Sequence, residues 1–223
     1  MTPPKTARRF ELIAFDWDGT LSDSTALIAS CIQQAVADVG GTVPSTEAAS
    51  HVIGLGLMQA LAHAAPDVPA ERHAALADRY RHHYFAQQHT LTLFPGVIDM
   101  LQELRAQGYL LAVATGKSRR GLDEALKNVA LQGMFDTTRT ADQTRGKPHP
   151  QMLHEIFAEL AVEPQRTLMV GDTTHDLELA RNAACPSAAV TYGAHPPHAF
   201  AALRPLCIAE SVPQLRNWIL QNG

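Results

Sequence analysis

Short apolar runs that end in a polar or acidic residue constrain the fold of this chain most strongly. Residues 12–15 read LIAF and precede Asp16, residues 109–115 read YLLAVAT, and residues 167–171 read TLMVG and precede Asp172. Continuous apolar runs of this length are typical of strands that are buried on both faces of a parallel sheet. We therefore predict strands at these three places.

Segments with the apolar spacing of a helix follow most of these runs. The clearest covers residues 24–39, where Gly40 supplies a stop. Further helices are predicted over 97–107, 118–133, 149–162, 174–184 and after Ser211, and further strands over 137–142, 187–193 and 206–210. This alternation predicts an α/β fold, a doubly wound and Rossmann-like parallel sheet with right-handed crossovers.

The segment between residues 46 and 89 interrupts this alternation. It is rich in alanine and predicts helices over 46–52, 56–64 and 70–88, with no convincing strand. We therefore predict an all-helical cap domain at 23–90, inserted after the first strand. The α/β core domain would consist of 1–22 and 91–223.

The composition of the 223 residues argues against several classes of protein. A hydrophobic fraction of 46% is that of a globular chain, and the formal net charge of −4 offers no general attraction to nucleic acid or anionic lipid. The sequence contains no apolar run of the length that a membrane span or a signal peptide needs. The three cysteines are widely spaced, as expected of reduced thiols. We predict a cytoplasmic protein that binds neither nucleic acid nor membranes.

Polar residues follow the predicted strands at the edge where open parallel sheets bind their ligands. These residues are Asp16 and Asp18 after the first strand, Thr115 and Gly116 after the second, Lys147 in the loop GKPHP, and Asp172 and Asp176 after the fourth. One lysine cannot neutralise four carboxylates, whereas Mg²⁺ prefers oxygen ligands and is often bound by carboxylates together with substrate phosphate. The cluster therefore predicts a magnesium site and a phosphorylated ligand.

Four segments of the chain resemble the sequence motifs of the haloacid dehalogenase superfamily. They are DWDGTLSDS at 16–24, VATGK at 113–117, GKPHP at 146–150 and GDTTHDLELA at 171–180. The position of the cap resembles that of the phosphoglycolate phosphatase-like branch, and the resemblance spans residues 11–190. It implies a Mg²⁺-dependent phosphatase that acts on a small phosphomonoester through an aspartyl-phosphate. Trp17 stands where the family usually has phenylalanine. His175 is unusual at its position and is interpreted as a surface residue of the following helix or, alternatively, as a modulator near the metal.

The resemblance also implies roles for individual residues. Asp16 would be the nucleophile. Asp18 would protonate the leaving oxygen, later take a proton from water, and offer its backbone carbonyl to the metal. Thr115 and Gly116 would hold phosphate oxygens, and Lys147 would bind both the phosphoryl group and Asp16.

The implied metal ligands come from three parts of the chain. Asp172 would coordinate Mg²⁺ directly, together with Asp16 and the backbone of Asp18. Asp176 would support the ion directly or through a water molecule.

Each of these residues also has a simpler interpretation. Asp18 before a glycine is a common turn former, Thr115 is a possible helix cap, and an isolated Lys147 would face solvent. Asp176 is also a first-turn residue that the helix dipole favours. The basic residues within 117–120 are interpreted as a solvated helix start outside the site.

The segment HVIGLGL at 51–57 is the candidate for substrate specificity. Gly54 and Gly56 permit close backbone approach on either side of Leu55, and the cap loops of the resembling family contact substrate near this place. A glycine-broken loop between helices is the simpler alternative. Few cationic residues lie nearby, which weakens the case for phosphoglycolate itself as the substrate.

Two alternative functions remain open. A phosphomutase of the same fold would keep every motif, and a non-catalytic phosphate-sensing scaffold would keep the site without turnover. The sequence distinguishes neither a monomer from a homodimer nor one natural substrate from another.

Overall fold

The computed structural model describes residues 8–223 and is built on a parallel sheet. Its strands are β1 (Leu12–Phe15), β2 (Leu110–Thr115), β3 (Thr137–Thr140), β4 (Thr167–Gly171), β5 (Ser187–Val190) and β6 (Cys207–Ala209). They form one six-stranded sheet in the order β3-β2-β1-β4-β5-β6, with every neighbouring pair parallel. The predicted α/β fold with a doubly wound parallel sheet is confirmed.

Helices separate the strands and also form the segment after β1. The first four are α1 (Thr25–Asp38), α2 (Thr46–His51), α3 (Leu57–Ala64) and α4 (His73–Gln87), which we call the cap helices. The others are α5 (Val97–Ala106), α6 (Arg119–Ala125), α7 (Gln151–Leu160), α8 (Thr174–Asn182) and α9 (Val212–Asn222). In residues 8–223, no helix combines the length and the apolar character needed to cross a membrane.

Helix α6 is shorter than the sequence predicts. The apolar spacing extends to Gly133, but the helix ends at Ala125 and a separate 3₁₀ turn covers Val129–Leu131. Asn128 leaves the helical region with φ −57° and ψ 121°, and its side chain accepts a hydrogen bond from the Ala130 amide. This local bond competes with continuation of the helix.

Both faces of the sheet are buried, as the continuous apolar runs predict. Ile13 and Phe15 belong to the apolar cluster that includes residues of α5, α6 and α9, whereas Leu12 and Ala14 belong to the one that includes residues of α7 and α8. The cap helices bury an apolar cluster of their own, which includes Leu61. This separate cluster supports the predicted division into core and cap, which stays a prediction.

Candidate active site

The strand register brings the predicted site residues to one edge of the sheet. Phe15 of β1 pairs with Val113 of β2 on one side and with Val170 of β4 on the other. Asp16 therefore leaves β1 at the same edge of the sheet at which β2 ends at Thr115 and β4 ends at Gly171. The site lies between the two halves of the sheet, where open α/β sheets characteristically bind ligands.

Three carboxylates converge at this edge. Asp16, Asp172 and Asp176 each place one carboxylate oxygen within 4.8 Å of those of the other two, and all three residues are buried. Like charges at this spacing repel strongly in a medium of low dielectric constant. A stable arrangement therefore requires positive charge or protons at this position.

Lys147 supplies part of that positive charge. Its Nζ donates hydrogen bonds of 2.6 Å to Oδ1 of Asp16 and 2.6 Å to Oδ1 of Asp176, and the residue is 0% exposed. Burial by itself lowers the pKa of this ammonium, but the charges of Asp16 and Asp176 outweigh burial and raise the pKa. Lys147 thus stays charged inside the site.

Hydrogen bonds from the protein hold both oxygens of Asp172 and the second oxygen, Oδ2, of Asp176. Oδ1 of Asp172 accepts a hydrogen bond of 2.8 Å from the Thr20 hydroxyl, and Oδ2 accepts one of 2.7 Å from the Ala194 amide. Oδ2 of Asp176 accepts hydrogen bonds from the amide and the hydroxyl of Thr173. The amide bond, together with the bond from the Asp176 amide to the Thr173 hydroxyl, forms the capping box of α8. These contacts fix both carboxylates in position.

Asp16 differs from its two neighbours because one of its oxygens lacks such support. Its Oδ2 is buried and has no hydrogen-bond partner among the described residues. Burial raises the pKa of Asp16 to about 7; the charge of Lys147 offsets part of this effect, and the charge of Asp176 adds to it. Burial, together with the charges of Asp16 and Asp176, also raises the pKa of Asp172 well above its usual value. A bound cation would reverse this preference for the neutral forms, so the arrangement fits a divalent metal ion.

Asp18 is not part of this group of three carboxylates, and with Asp16 it lines an adjacent cavity. Its Oδ1 accepts hydrogen bonds of 2.8 Å from the Ser24 hydroxyl and 2.8 Å from Nζ of Lys117, which also lies 3.0 Å from Oδ2. Lys117 donates a further bond of 2.9 Å to the hydroxyl of Tyr84 in α4. The interpretation of Lys117 as part of a solvated helix start is therefore wrong, because its side chain pairs with Asp18 and is only 10% exposed.

Thr115 and Gly116 lie where β2 gives way to the loop before α6. Thr115 is buried, and its hydroxyl accepts a hydrogen bond of 3.2 Å from the Lys117 amide. Gly116 packs against the backbone of Gly54 and Leu55, which line the cavity beside Asp18 together with Gly56. The residues predicted for specificity thus contact a residue predicted for phosphate binding.

Comparison with known proteins identifies the family. The family model for haloacid dehalogenase-like hydrolases matches residues 13–190. The chain belongs to this family.

Curated relatives and solved structures agree with membership of the haloacid dehalogenase-like family. The chain is 34% identical over 209 residues to "Probable phosphatase IndB" of Dickeya dadantii, which covers 92% of this chain and 91% of that protein. It is 35% identical over 192 residues to the phosphoglycolate phosphatase of Aliivibrio fischeri, covering 82% of this chain and 85% of that protein. A crystal structure of a predicted phosphoglycolate phosphatase from Haemophilus somnus superimposes with a TM-score of 0.83 at 26% identity, covering 97% of this chain and 99% of that one. The predicted family and the predicted class of enzyme, a phosphatase-like hydrolase, are confirmed.

Three histidines join the cap helices to the core of this haloacid dehalogenase-like hydrolase. Nε2 of His175 and Nε2 of His195 both donate to the backbone carbonyl of His51, at 2.9 Å and 3.0 Å, and the rings of His51 and His195 stack with centroids 4.8 Å apart. Nδ1 of His195 accepts a hydrogen bond from the Thr174 amide. Burial lowers the pKa of His195 to about 4 and also lowers that of His175, so both rings are neutral at pH 7. The interpretation of His175 as a surface residue is corrected, because it fastens the end of α2 to the start of α8.

Substituting Gly116 with alanine tests the contact between core and cap loop. A Cβ atom at this position would lie 2.6 Å from the carbonyl oxygen of Leu55 and even closer to that of Gly54. The loop must then move away from the site, and displacement of positioning groups by about 1 Å can cost roughly 100-fold in rate. We expect kcat/KM for a phosphomonoester to fall at least tenfold for Gly116→Ala.

Gly146→Ala is the matched control for this substitution. The nearest atom to a Cβ at Gly146 is Oε1 of Gln59 at 3.7 Å, which is ordinary van der Waals contact. We expect less than a threefold change for this variant. Equal kinetics for Gly116→Ala and the wild type would show that the close approach of the two loops has no functional role.

Proposed function

We propose that this protein is a Mg²⁺-dependent phosphomonoester hydrolase that acts through an aspartyl-phosphate on Asp16. The observation that carries the proposal is the buried Oδ2 of Asp16, which has no hydrogen-bond partner within residues 8–223 and lies beside the ammonium of Lys147 and the carboxylates of Asp172 and Asp176. Burying a carboxylate oxygen without a hydrogen bond costs free energy, and such an atom is characteristic of a site with a catalytic role or a bound ion. The names of the relatives as phosphatases support the same reaction class.

The donor set fits magnesium. Asp16, Asp172 and the backbone carbonyl of Asp18 would hold the ion, with Asp176 contributing directly or through water, and hard oxygen ligands of this kind are those that Mg²⁺ prefers. Each oxygen of Asp172 accepts one hydrogen bond and keeps a second lone pair. In Asp176, Oδ1 pairs with the ammonium of Lys147 and Oδ2 accepts two hydrogen bonds, so contact through water suits Asp176 better. The bound ion would neutralise the carboxylates and stabilise negative charge on the transferred phosphoryl group.

The first step transfers the phosphoryl group to the protein. Oδ2 of Asp16 attacks phosphorus, the bond between phosphorus and the ester oxygen breaks, and the leaving oxygen takes a proton from Asp18. The hydroxyl of Thr115, the amide of Gly116 and the ammonium of Lys147 hold the non-bridging oxygens. The products of this step are the free alcohol and phosphorylated Asp16.

The second step returns the enzyme to its starting state. Asp18, now ionised, takes a proton from a water molecule that attacks the same phosphorus. The bond between phosphorus and Oδ2 breaks, which releases inorganic phosphate and restores the carboxylate of Asp16. Asp18 ends protonated, ready for the next substrate.

Phosphate release from para-nitrophenyl phosphate in the presence of Mg²⁺ tests the proposal. We expect turnover with Mg²⁺ and loss of turnover with a chelator. Isomerisation of a phosphosugar without phosphate release would instead indicate a phosphomutase. Mg²⁺ and phosphate binding with no reaction at all would indicate a phosphate-sensing scaffold.

Replacing Asp172 tests the metal site without measuring turnover. A ligand at about 100 times its dissociation constant raises the free energy of unfolding by about 2.7 kcal/mol, so saturating Mg²⁺ should raise the melting temperature of the wild type. We expect Asp172→Asn to lose this increase at the same Mg²⁺ concentration, whereas the exposed Asp123→Asn keeps it. Identical Mg²⁺ titrations for Asp172→Asn and wild type would remove Asp172 from the metal site.

A further inference from the structure

A cavity of about 500 Å³ opens from the proposed phosphoryl site into the cap helices. Asp16, Asp18 and Thr115 line its inner end, where the phosphoryl group would react. The remainder of the cavity lies where the leaving alcohol must point once the phosphorus faces Asp16. Its lining therefore reports on the chemistry of the leaving group, provided that the proposed function holds.

Apolar side chains form most of the wall on the cap side. They come from α1, from the segment before α3, and from α3 and α4, and they include Ile28, Ile32, Ile53, Met58, Tyr84 and Phe85. A volume of this size is within the range of about 300–1,000 Å³ that holds drug-sized ligands. A two-carbon leaving group would leave most of this surface in contact with water.

The described lining offers no unpaired cation for an anionic leaving group. Lys117 is paired with the carboxylate of Asp18, and Arg81 pairs with Asp78 at 2.8 Å in an exposed position. A substrate carboxylate placed here would have to displace Asp18 from Lys117 and would otherwise meet an apolar wall. Burying such a charge without a free partner is unfavourable.

Two exposed apolar side chains stand at the mouth of this cavity on different helices. Met58 of α3 is 48% exposed and Phe85 of α4 is 39% exposed, although both line the cavity. The guanidinium of Arg120 lies 5.4 Å from the centre of the Phe85 ring and holds the ring beside the core. Exposed apolar residues grouped around a concave site are characteristic of a surface that an apolar ligand covers.

We propose that the substrate is a phosphomonoester whose leaving alcohol carries a large, uncharged apolar group, such as an aromatic ring, that fills this cavity. The inference rests on the proposed phosphatase function and specifies its substrate class. Phosphoglycolate, which is small and carries a carboxylate, is then a poor substrate. Specificity resides in the side chains of α1, α3 and α4 as well as in the backbone of the Gly54–Gly56 loop.

Three phosphate esters with leaving alcohols of comparable acidity provide the first test. Measured with Mg²⁺, kcat/KM should be at least tenfold higher for 2-phenylethyl phosphate than for ethyl phosphate, and higher again than for phosphoglycolate. Hydrolysis of all three with equal efficiency, or a preference for phosphoglycolate, would overturn the inference and leave the proposed function standing.

Binding of phosphonates separates the two proposals if no ester is hydrolysed. By calorimetry, 3-phenylpropylphosphonate should bind at least tenfold more tightly than propylphosphonate. If the protein hydrolyses no ester, tighter binding of the aromatic phosphonate would support the preference of the cavity for apolar groups and reject the proposed hydrolase function. Equal affinities would reject the preference for apolar groups.

Phe85→Ala tests the wall directly. We expect the ratio of kcat/KM between 2-phenylethyl and ethyl phosphate to fall at least fivefold, mainly through KM for the aromatic ester. Val129→Ala is the control, because Val129 is 78% exposed and does not line the cavity. A ratio that is the same in Phe85→Ala, Val129→Ala and the wild type would show that Phe85 does not contact the leaving group.

Discussion

Asp16→Asn will reduce phosphate release by at least about 10³-fold, the scale typical for loss of a nucleophile. The amide keeps the shape of the side chain but cannot attack phosphorus as a carboxylate does. Steady-state hydrolysis of para-nitrophenyl phosphate with Mg²⁺ measures the effect. Asp23→Asn is the matched control, since Asp23 lies in the same sequence motif with an exposed side chain. Retention of more than a tenth of the wild-type activity would remove Asp16 as the nucleophile.

The same variant should fold without a penalty in the absence of metal. Because burial raises the pKa of Asp16 to about 7, above its value in an unfolded chain, ionisation of this group at pH 8 opposes folding. Asparagine removes that charge, and the ammonium of Lys147 keeps its pair with Asp176. We therefore expect the melting temperature of Asp16→Asn at pH 8 with a chelator to equal or exceed that of the wild type, so its inactivity cannot be attributed to unfolding.

Lys147→Met will have the opposite effect on stability and a similar effect on activity. Methionine approximates the length of lysine but leaves Asp16 and Asp176 without their shared ammonium. Removing one partner of a buried ion pair commonly costs about 3–5 kcal/mol, and losing one donor to a transition state costs about 10²–10³ in rate. Denaturant unfolding in a chelator and steady-state kinetics with Mg²⁺ measure the two quantities.

An exposed lysine pair provides the control for Lys147→Met. Nζ of Lys127 lies 2.6 Å from Glu124, the same separation as in the buried pair, but both side chains face solvent. Lys127→Met should change the free energy of unfolding by about 0.5 kcal/mol or less. A loss below about 1 kcal/mol for Lys147→Met would mean that the three carboxylates do not depend on this ammonium for their stability.

The sequence predicts the strands and their edge well because the signal for both is local. A run such as residues 12–15 must be buried on both faces, and parallel pairing then places Asp16, Thr115 and Asp172 together without further information. The spacing of Thr173 and Asp176 also matches a capping box, which was not among the predictions. It explains why Asp176 has less freedom to bind a metal than its acidic character alone indicates.

Contacts between distant segments could not be predicted in the same way. Lys117 pairs with a carboxylate 99 residues away and with Tyr84 of a cap helix, and no local pattern distinguishes it from a solvated lysine. The histidine contacts across His51, His175 and His195 likewise depend on how the cap helices meet the core. The shortened α6 reflects competition between a side-chain hydrogen bond and helix spacing, which apolar periodicity does not register.

The chain of hydrogen bonds from Tyr84 through Lys117 to Asp18 connects the cap helices to the proposed acid–base group. Tyr84 belongs to a helix that lines the cavity proposed for the leaving alcohol, and Asp18 is the group proposed to move the proton. Any departure of α4 from the core changes the partners of Lys117 and therefore the field around Asp18. One ammonium thus links a cap helix to the group proposed to move the proton.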